Sequence, residues 1–158
     1  MNAHELLLHL TRKQVANTFA AARKLPPNRL EWSPAPGART ALDQLQEFAT
    51  AMDVTWDVYQ SRKLSWSKDV NKAWMEKRSQ ITDLDELERI ANSNIDKLAG
   101  FLVEFDPADY AELIEVPFSK DYTMADCLAL HFWNGAYHEG QINYIASLLP
   151  NEEDQAAS

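Results

Sequence analysis

MADCLALHFWNGAYHEGQINYIASLL, residues 124–149, contains no proline and is long enough for about seven helical turns. Thr123 stands just before it and Asp126 follows three positions later. In that capping arrangement a hydroxyl and a carboxylate satisfy backbone N–H groups at a helix start. Pro150 is expected to close the helix. Alternating steps of four and three collect Cys127, His131, Asn134, His138, Gln141, Ile145 and Leu148 on one narrow stripe. The stripe is apolar at its ends and polar at its centre. A seam framed in this way faces a core, so its four polar side chains must be hydrogen-bonded, metal-bound or turned toward a cavity. A core face shifted by one position, through Leu128, Phe132 and Ile142, would instead turn the stripe toward a solvent-filled groove or a partner chain.

The rest of the chain offers helices to pack against this one. Leu7, Leu10, Val15, Phe19 and Ala22 recur at helical spacing from about Ala3 to Leu25, where Pro26-Pro27 ends the pattern. A proline-rich loop follows to Gly37, long enough to cross a bundle, with Trp32 expected to pin it to the core. A second helix is predicted from a cap at Thr40, answered by Asp43, through to about Arg62. Periodicity weakens over 61–81, where a short helix near Val70–Lys77 is expected and Trp66 and Trp74 need burial. Thr82 and Asp85 suggest the next cap, and Leu84, Leu87, Ile90, Ile95, Leu98, Leu102 and Phe105 carry a third long helix to Asp106-Pro107. Leu113–Phe118 reads as an extended connector interrupted by Pro117. The pattern predicts an all-α bundle of four long helices in one domain over residues 1–150, followed by a flexible acidic tail over 151–158.

Composition narrows the function classes. The 158 residues include one cysteine, Cys127, so no internal disulfide can form. No apolar run is long enough to span a bilayer, and residues 1–13 lack the basic start and small-residue cleavage site of a secretion signal, which predicts a cytoplasmic protein. Net charge is −9 and is unevenly placed: residues 1–100 hold 14 basic and 13 acidic side chains, whereas residues 101–158 set only Lys120 against 11 acids. No basic stripe exists to neutralise phosphates, so neither nucleic acid nor an anionic membrane surface is an expected partner.

Spacing along the last helix limits what the polar stripe can ligate. His131 and His138 are seven residues apart, about 10.5 Å along the axis, too far to share one ion with bonds of about 2 Å. Asn134 and His138 are four apart, the spacing at which two side chains meet. In the second helix Glu47 heads an otherwise apolar row with Ala51, Val54 and Val58. Its carboxylate could meet His138 as a metal ligand or as acceptor for an imidazolium, or reach water if the helix is rotated slightly. His4 and His9 lie on different faces of the first helix and read as surface residues, and Cys127 reads as a small core residue. Gly135 and Gly140 each cost a helix about 1 kcal/mol relative to alanine, which close packing or a ligand should offset.

Two segments together resemble a known family. LEWSPAPGARTALDQLQEFA (residues 30–49) is similar to the loop and second helix of the DinB/YfiT-like metalloenzymes and their S-transferase relatives. AYHEGQINYIASLL (residues 136–149), with its run His138-Glu139-Gly140-Gln141, is similar to their last helix. The resemblance implies a four-helix bundle with a long connection between helices one and two, frequently a homodimer. It also implies a divalent metal held by one histidine of helix two and two histidines spaced by four on the last helix. It implies no DNA polymerase. This chain departs from the pattern at two of the three positions, with Glu47 and Asn134 standing where histidines are expected and only His138 retained.

Two functions follow as expectations. One is a metal-dependent small-molecule enzyme in which Glu47, Asn134 and His138 hold zinc, nickel, iron or manganese, while His131 and Gln141 line the substrate pocket. By resemblance its reaction would be a thiol S-transfer. The other is a metal-free bundle in which the same residues form a hydrogen-bonded network or line a ligand-binding cleft.

Overall fold

The computed structural model describes residues 1–149. The helix stop expected at Pro150 and the acidic tail over 151–158 lie outside the described residues. Helix α1 spans Ala3–Ala22, α2 Ala41–Thr50, α3 Met52–Thr55, α4 Val58–Ser61, α5 Lys68–Arg78, α6 Leu84–Glu104 and α7 Met124–Ser147, with 3₁₀ turns at Pro27–Arg29 and Pro107–Ala111. Among the described residues no strand forms, only isolated bridges. None of the described helices is long and apolar enough to cross a membrane.

Local chemistry explains most of the boundaries. Asn2 and Glu5 form a reciprocal capping box at the start of α1, and Thr123 and Asp126 form another at the start of α7. Thr40 caps α2 by accepting from the Asp43 N–H at 3.1 Å. The expected Thr82 cap of α6 is corrected to Asp83, whose carboxylate accepts from the Glu86 N–H at 2.8 Å. A carboxylate one residue on does the same work and adds a negative charge at the positive end of the helix dipole. Helix one stops at Ala22 rather than Leu25, ahead of the proline pair.

The predicted continuous second helix is instead three pieces, α2, α3 and α4. Along it Thr50, Thr55 and Ser61 donate their hydroxyls to the carbonyls of Gln46, Ala51 and Asp57, at 2.7, 3.1 and 2.8 Å. Such back-bonding to residue i−4 loosens the helical ladder and bends it. Arg62 then closes α4 in the left-handed region at φ 57°.

Helix α1 packs on α6 and α7, and α2 packs on the same two helices. Two apolar clusters fill the space between them. One includes Phe19, Leu45, Phe48, Leu87 and Ile142, with Trp32 packed against it as expected for a loop anchor. The other includes Met52, Tyr59, Leu98, Met124 and Leu128. The expected extended connector Leu113–Phe118 is extended only over 113–116 and turns at Pro117 and Phe118, where Val116 bridges to Ser119. Glu115 exchanges backbone hydrogen bonds of 2.9 Å with Arg62 and Leu64, and Ile114 donates to Tyr122 at 2.8 Å. It therefore stitches the end of α4 to the start of α7. The expected burial of Trp66 is corrected: it is 37% exposed, stacked edge-on to the half-buried Trp74 at 5.9 Å. His4, expected at the surface, is half-buried against Phe105 and Tyr110.

The two glycines of α7 separate cleanly. A Cβ on Gly135 would sit 2.7 Å from Gln14 Cγ and 2.9 Å from the Phe48 ring, so its absence lets α1 and α2 approach α7. A Cβ on Gly140 would meet nothing within 4 Å. Gly140→Ala should therefore stabilise the protein by up to about 1 kcal/mol through helix propensity. Gly135→Ala should destabilise it by about 1–2 kcal/mol, because overpacking outweighs the same propensity gain. Chemical denaturation of both variants measures the difference, and equal signs for the two would contradict the packing assignment.

Candidate functional site

Glu47 lies on α2, one turn after Asp43, and Asn134 and His138 lie one turn apart on α7. The packing of α2 on α7 turns these side chains toward each other. His138 is wholly buried, with Nε2 3.4 Å from Glu47 Oε1 and 3.3 Å from Asn134 Nδ2. Its Nδ1 faces Gln44 Oε1 at 3.2 Å. An amide oxygen can only accept, so Nδ1 carries the proton. In the neutral ring Nε2 is then a lone pair that accepts from the Asn134 amide. In the imidazolium it is an N–H that donates to Glu47.

Glu47 stays charged because two arginines stand behind it. Its Oε2 accepts from Arg39 at 2.8 Å and lies 3.5 Å from Arg78 Nη1. Arg78 is itself buried, donates to Asp43 Oδ1 at 2.8 Å, and lies over the Trp74 ring at 4.7 Å. Arg39 also donates to Asp43. Burial pushes the Glu47 carboxyl upward, but the His138 hydrogen bond and the charges of Arg39, His138 and Arg78 outweigh it and hold the group at about 2. The result is a balanced cluster of two guanidinium and two carboxylate groups against which the imidazole sits.

A cleft of 440 Å³ opens beside this cluster. Glu47, Ala51, Thr55 and Val58 form one wall, Cys127, Leu130, Trp133 and Asn134 on α7 the opposite one. Trp66, Trp74, Phe118 of the connector and Tyr122 also line it. Burial raises the Cys127 thiol to about 12, so the sulfur facing the cleft is not a thiolate at neutral pH.

The remaining candidates lie elsewhere. His131 is buried and outside the cleft lining, and its Nε2 has no partner among the described residues. Gln141 lines a second, more open groove of 430 Å³ with Arg39, Gln44 and Tyr137. Sequence reasoning missed Gln44, Arg39 and Arg78. Arg39, Asp43 and Glu47 repeat every four residues, a legible signal for a charged helical row, and Gln44 sits one turn from Glu47. Arg78 arrives from α5 and carries no local signal.

The donor set does not fit the three-histidine pattern of the resemblance. Among the described residues no group of three or more His, Cys, Asp or Glu side chains could hold an ion. One imidazole and one carboxylate oxygen face each other, the other carboxylate oxygen is bound by guanidinium, and the third position offers an amide that binds transition metals weakly. No family model matches this sequence, and no curated protein matches it.

Two titrations should appear in separate pH windows. Burial depresses His131 from 6.5 to about 4, so the unfolded chain takes up a proton that the folded protein refuses. Stability from this source is complete above about 6.5 and falls by about 3 kcal/mol as pH drops toward 4. Glu47, depressed from 4.5 to about 2, contributes stability that is complete above 4.5 and is lost as pH falls toward 2. Urea denaturation against pH should show His131→Leu flattening only the upper window and Glu47→Gln only the lower one.

Proposed function

We propose that this chain is a DinB/YfiT-like four-helix bundle that binds a small molecule in the 440 Å³ cleft, with Glu47, Asn134 and His138 as a metal-independent polar end. The supporting observation is that Glu47 Oε1 and the Asn134 amide each stand 3.3–3.4 Å from His138 Nε2 at the margin of an otherwise apolar, aromatic-walled cleft. Clefts of about 300–1,000 Å³ with apolar walls and few polar groups are the usual small-molecule sites. Glu47 and Asn134 reach the ligand directly. His138, buried behind them, acts as a positioning residue, and Gln44 fixes which of its nitrogens carries the proton.

The competing reading is a metal-dependent small-molecule enzyme of the thiol S-transferase kind, and one distance favours it. Donors around a tetrahedral ion with bonds of about 2.1 Å stand about 3.4 Å apart, the separation of Glu47 Oε1 from His138 Nε2. The guanidinium groups on Glu47 argue the other way, because they already neutralise the one anionic donor and repel a divalent cation.

Elemental analysis of protein purified without chelator or immobilised-metal resin separates the two, with no stoichiometric zinc, nickel, iron or manganese expected. The neutral fluorophore N-phenyl-1-naphthylamine should bind one equivalent and brighten, and Thr55→Trp, which fills the cleft, should abolish the signal. One equivalent of metal lost on His138→Ala would instead support the metalloenzyme.

A further inference from the structure

The cleft has a charge preference that its walls make explicit. Among the described residues Glu47 is the one ionised side chain in its lining, and no lysine or arginine lines it. Arg39 and Arg78 stand behind Glu47, bound to its Oε2 and to Asp43, and do not reach the cavity wall. An anionic ligand would thus be desolvated without a counter-charge, which is costly.

Hydrogen bonding at the polar end leans the same way. The Trp74 indole N–H already donates to Thr50 Oγ1 at 2.9 Å, the Thr55 hydroxyl to the Ala51 carbonyl at 3.1 Å, and the Asn134 amide N–H faces His138 Nε2 at 3.3 Å. Tyr122, Trp66 and Trp133 keep neutral donors elsewhere on the wall, whereas beside Glu47 two acceptors stand open. Asn134 Oδ1 is buried with no partner among the described residues. With His138 Nε2 as the lone pair that the Asn134 amide serves, the Glu47 carboxylate uses two of its roughly four acceptor positions, on Arg39 and Arg78. An unsatisfied buried acceptor beside an ionised carboxylate asks for a donor, and for a positively charged one above all.

The walls favour the same sign. Trp66, Phe118 and Trp133, at 37, 67 and 50% exposure, present large apolar surface around the cleft. Aromatic faces attract cations through the ring quadrupole.

We infer that the ligand is a hydrophobic amine: an aromatic-sized apolar body seated among Trp66, Phe118 and Trp133, with a single ammonium group donating to Glu47 and Asn134 Oδ1. This inference rests on the metal-independent cleft proposed above. Phosphorylated or carboxylated metabolites of the same size are excluded as good ligands by the missing counter-charge.

Three probes of one shape test it on the unmodified protein by calorimetry: naphthalen-1-ylmethylamine, naphthalen-1-ylmethanol and 1-naphthoate. The amine should bind about tenfold tighter than the alcohol, and the carboxylate more weakly than either. Glu47→Gln should remove most of the amine's advantage and change the alcohol's affinity little. Asn134→Leu, which leaves the ion-pair cluster intact, should weaken the amine as a second check if Glu47→Gln unfolds. Equal affinities, or a carboxylate that binds best, would overturn the amine assignment while binding of N-phenyl-1-naphthylamine still upheld the cleft. Failure of all four compounds to bind would overturn both.

Discussion

A wholly buried imidazole has to be met by groups that tolerate it in either protonation state, and the arrangement around His138 does so from two helices at once. Gln44 takes the Nδ1 proton, Asn134 can serve the Nε2 lone pair, and Glu47 stands ready for an Nε2 proton. The half-buried Glu47 carboxylate is kept ionised against its burial by the His138 hydrogen bond and by the charges of Arg39 and Arg78. Arg78 in turn needs Asp43 and the Trp74 face. Removing any one partner leaves a buried charge exposed to the low dielectric, so the cluster ties α5 and the start of α2 to the middle of α7.

Backbone geometry places the cleft next to that cluster. Gly135 lets Gln14 and Phe48 come against α7, which holds α1 and α2 close on either side of it. Beyond Thr50 the helix breaks into short pieces, and the chain turns at Arg62 to pair with the connector around Glu115. The space left between the bent segment, the connector and α7 is the cavity. Its apolar character follows from the residues that those three elements turn inward, and its polar end from the last intact turn of α2.

The helical architecture and the caps at Thr40 and Thr123 were legible in the linear pattern, because a 3.6-residue period and hydroxyl–carboxylate pairs three apart are local properties. Misjudgements came where local signals compete. Thr82 and Asp83 both suit a cap, and only the trajectory of the incoming chain selects Asp83. The spacing of Val54 and Val58 predicts a continuous second helix, while the hydroxyls that bend it are neutral in any pattern of hydrophobicity. Trp66 was expected to be buried on size alone, and a cleft mouth is the circumstance that leaves such a side chain partly open.

The linear chain on its own determined that the molecule is built of helices, that Asn134 and His138 share a face of the last one, and that Glu47 sits oddly in an apolar row. Those are consequences of periodicity and of the chemical identity of single residues. Tertiary structure alone decided that Glu47 faces His138 rather than water, that Gln44 sets the tautomer, that Arg78 arrives from a distant helix, and that His131 stands apart from the cleft. Each of these depends on helix rotation and on the meeting of segments far apart in the chain, and a side chain's neighbours across such a gap leave no trace in local spacing.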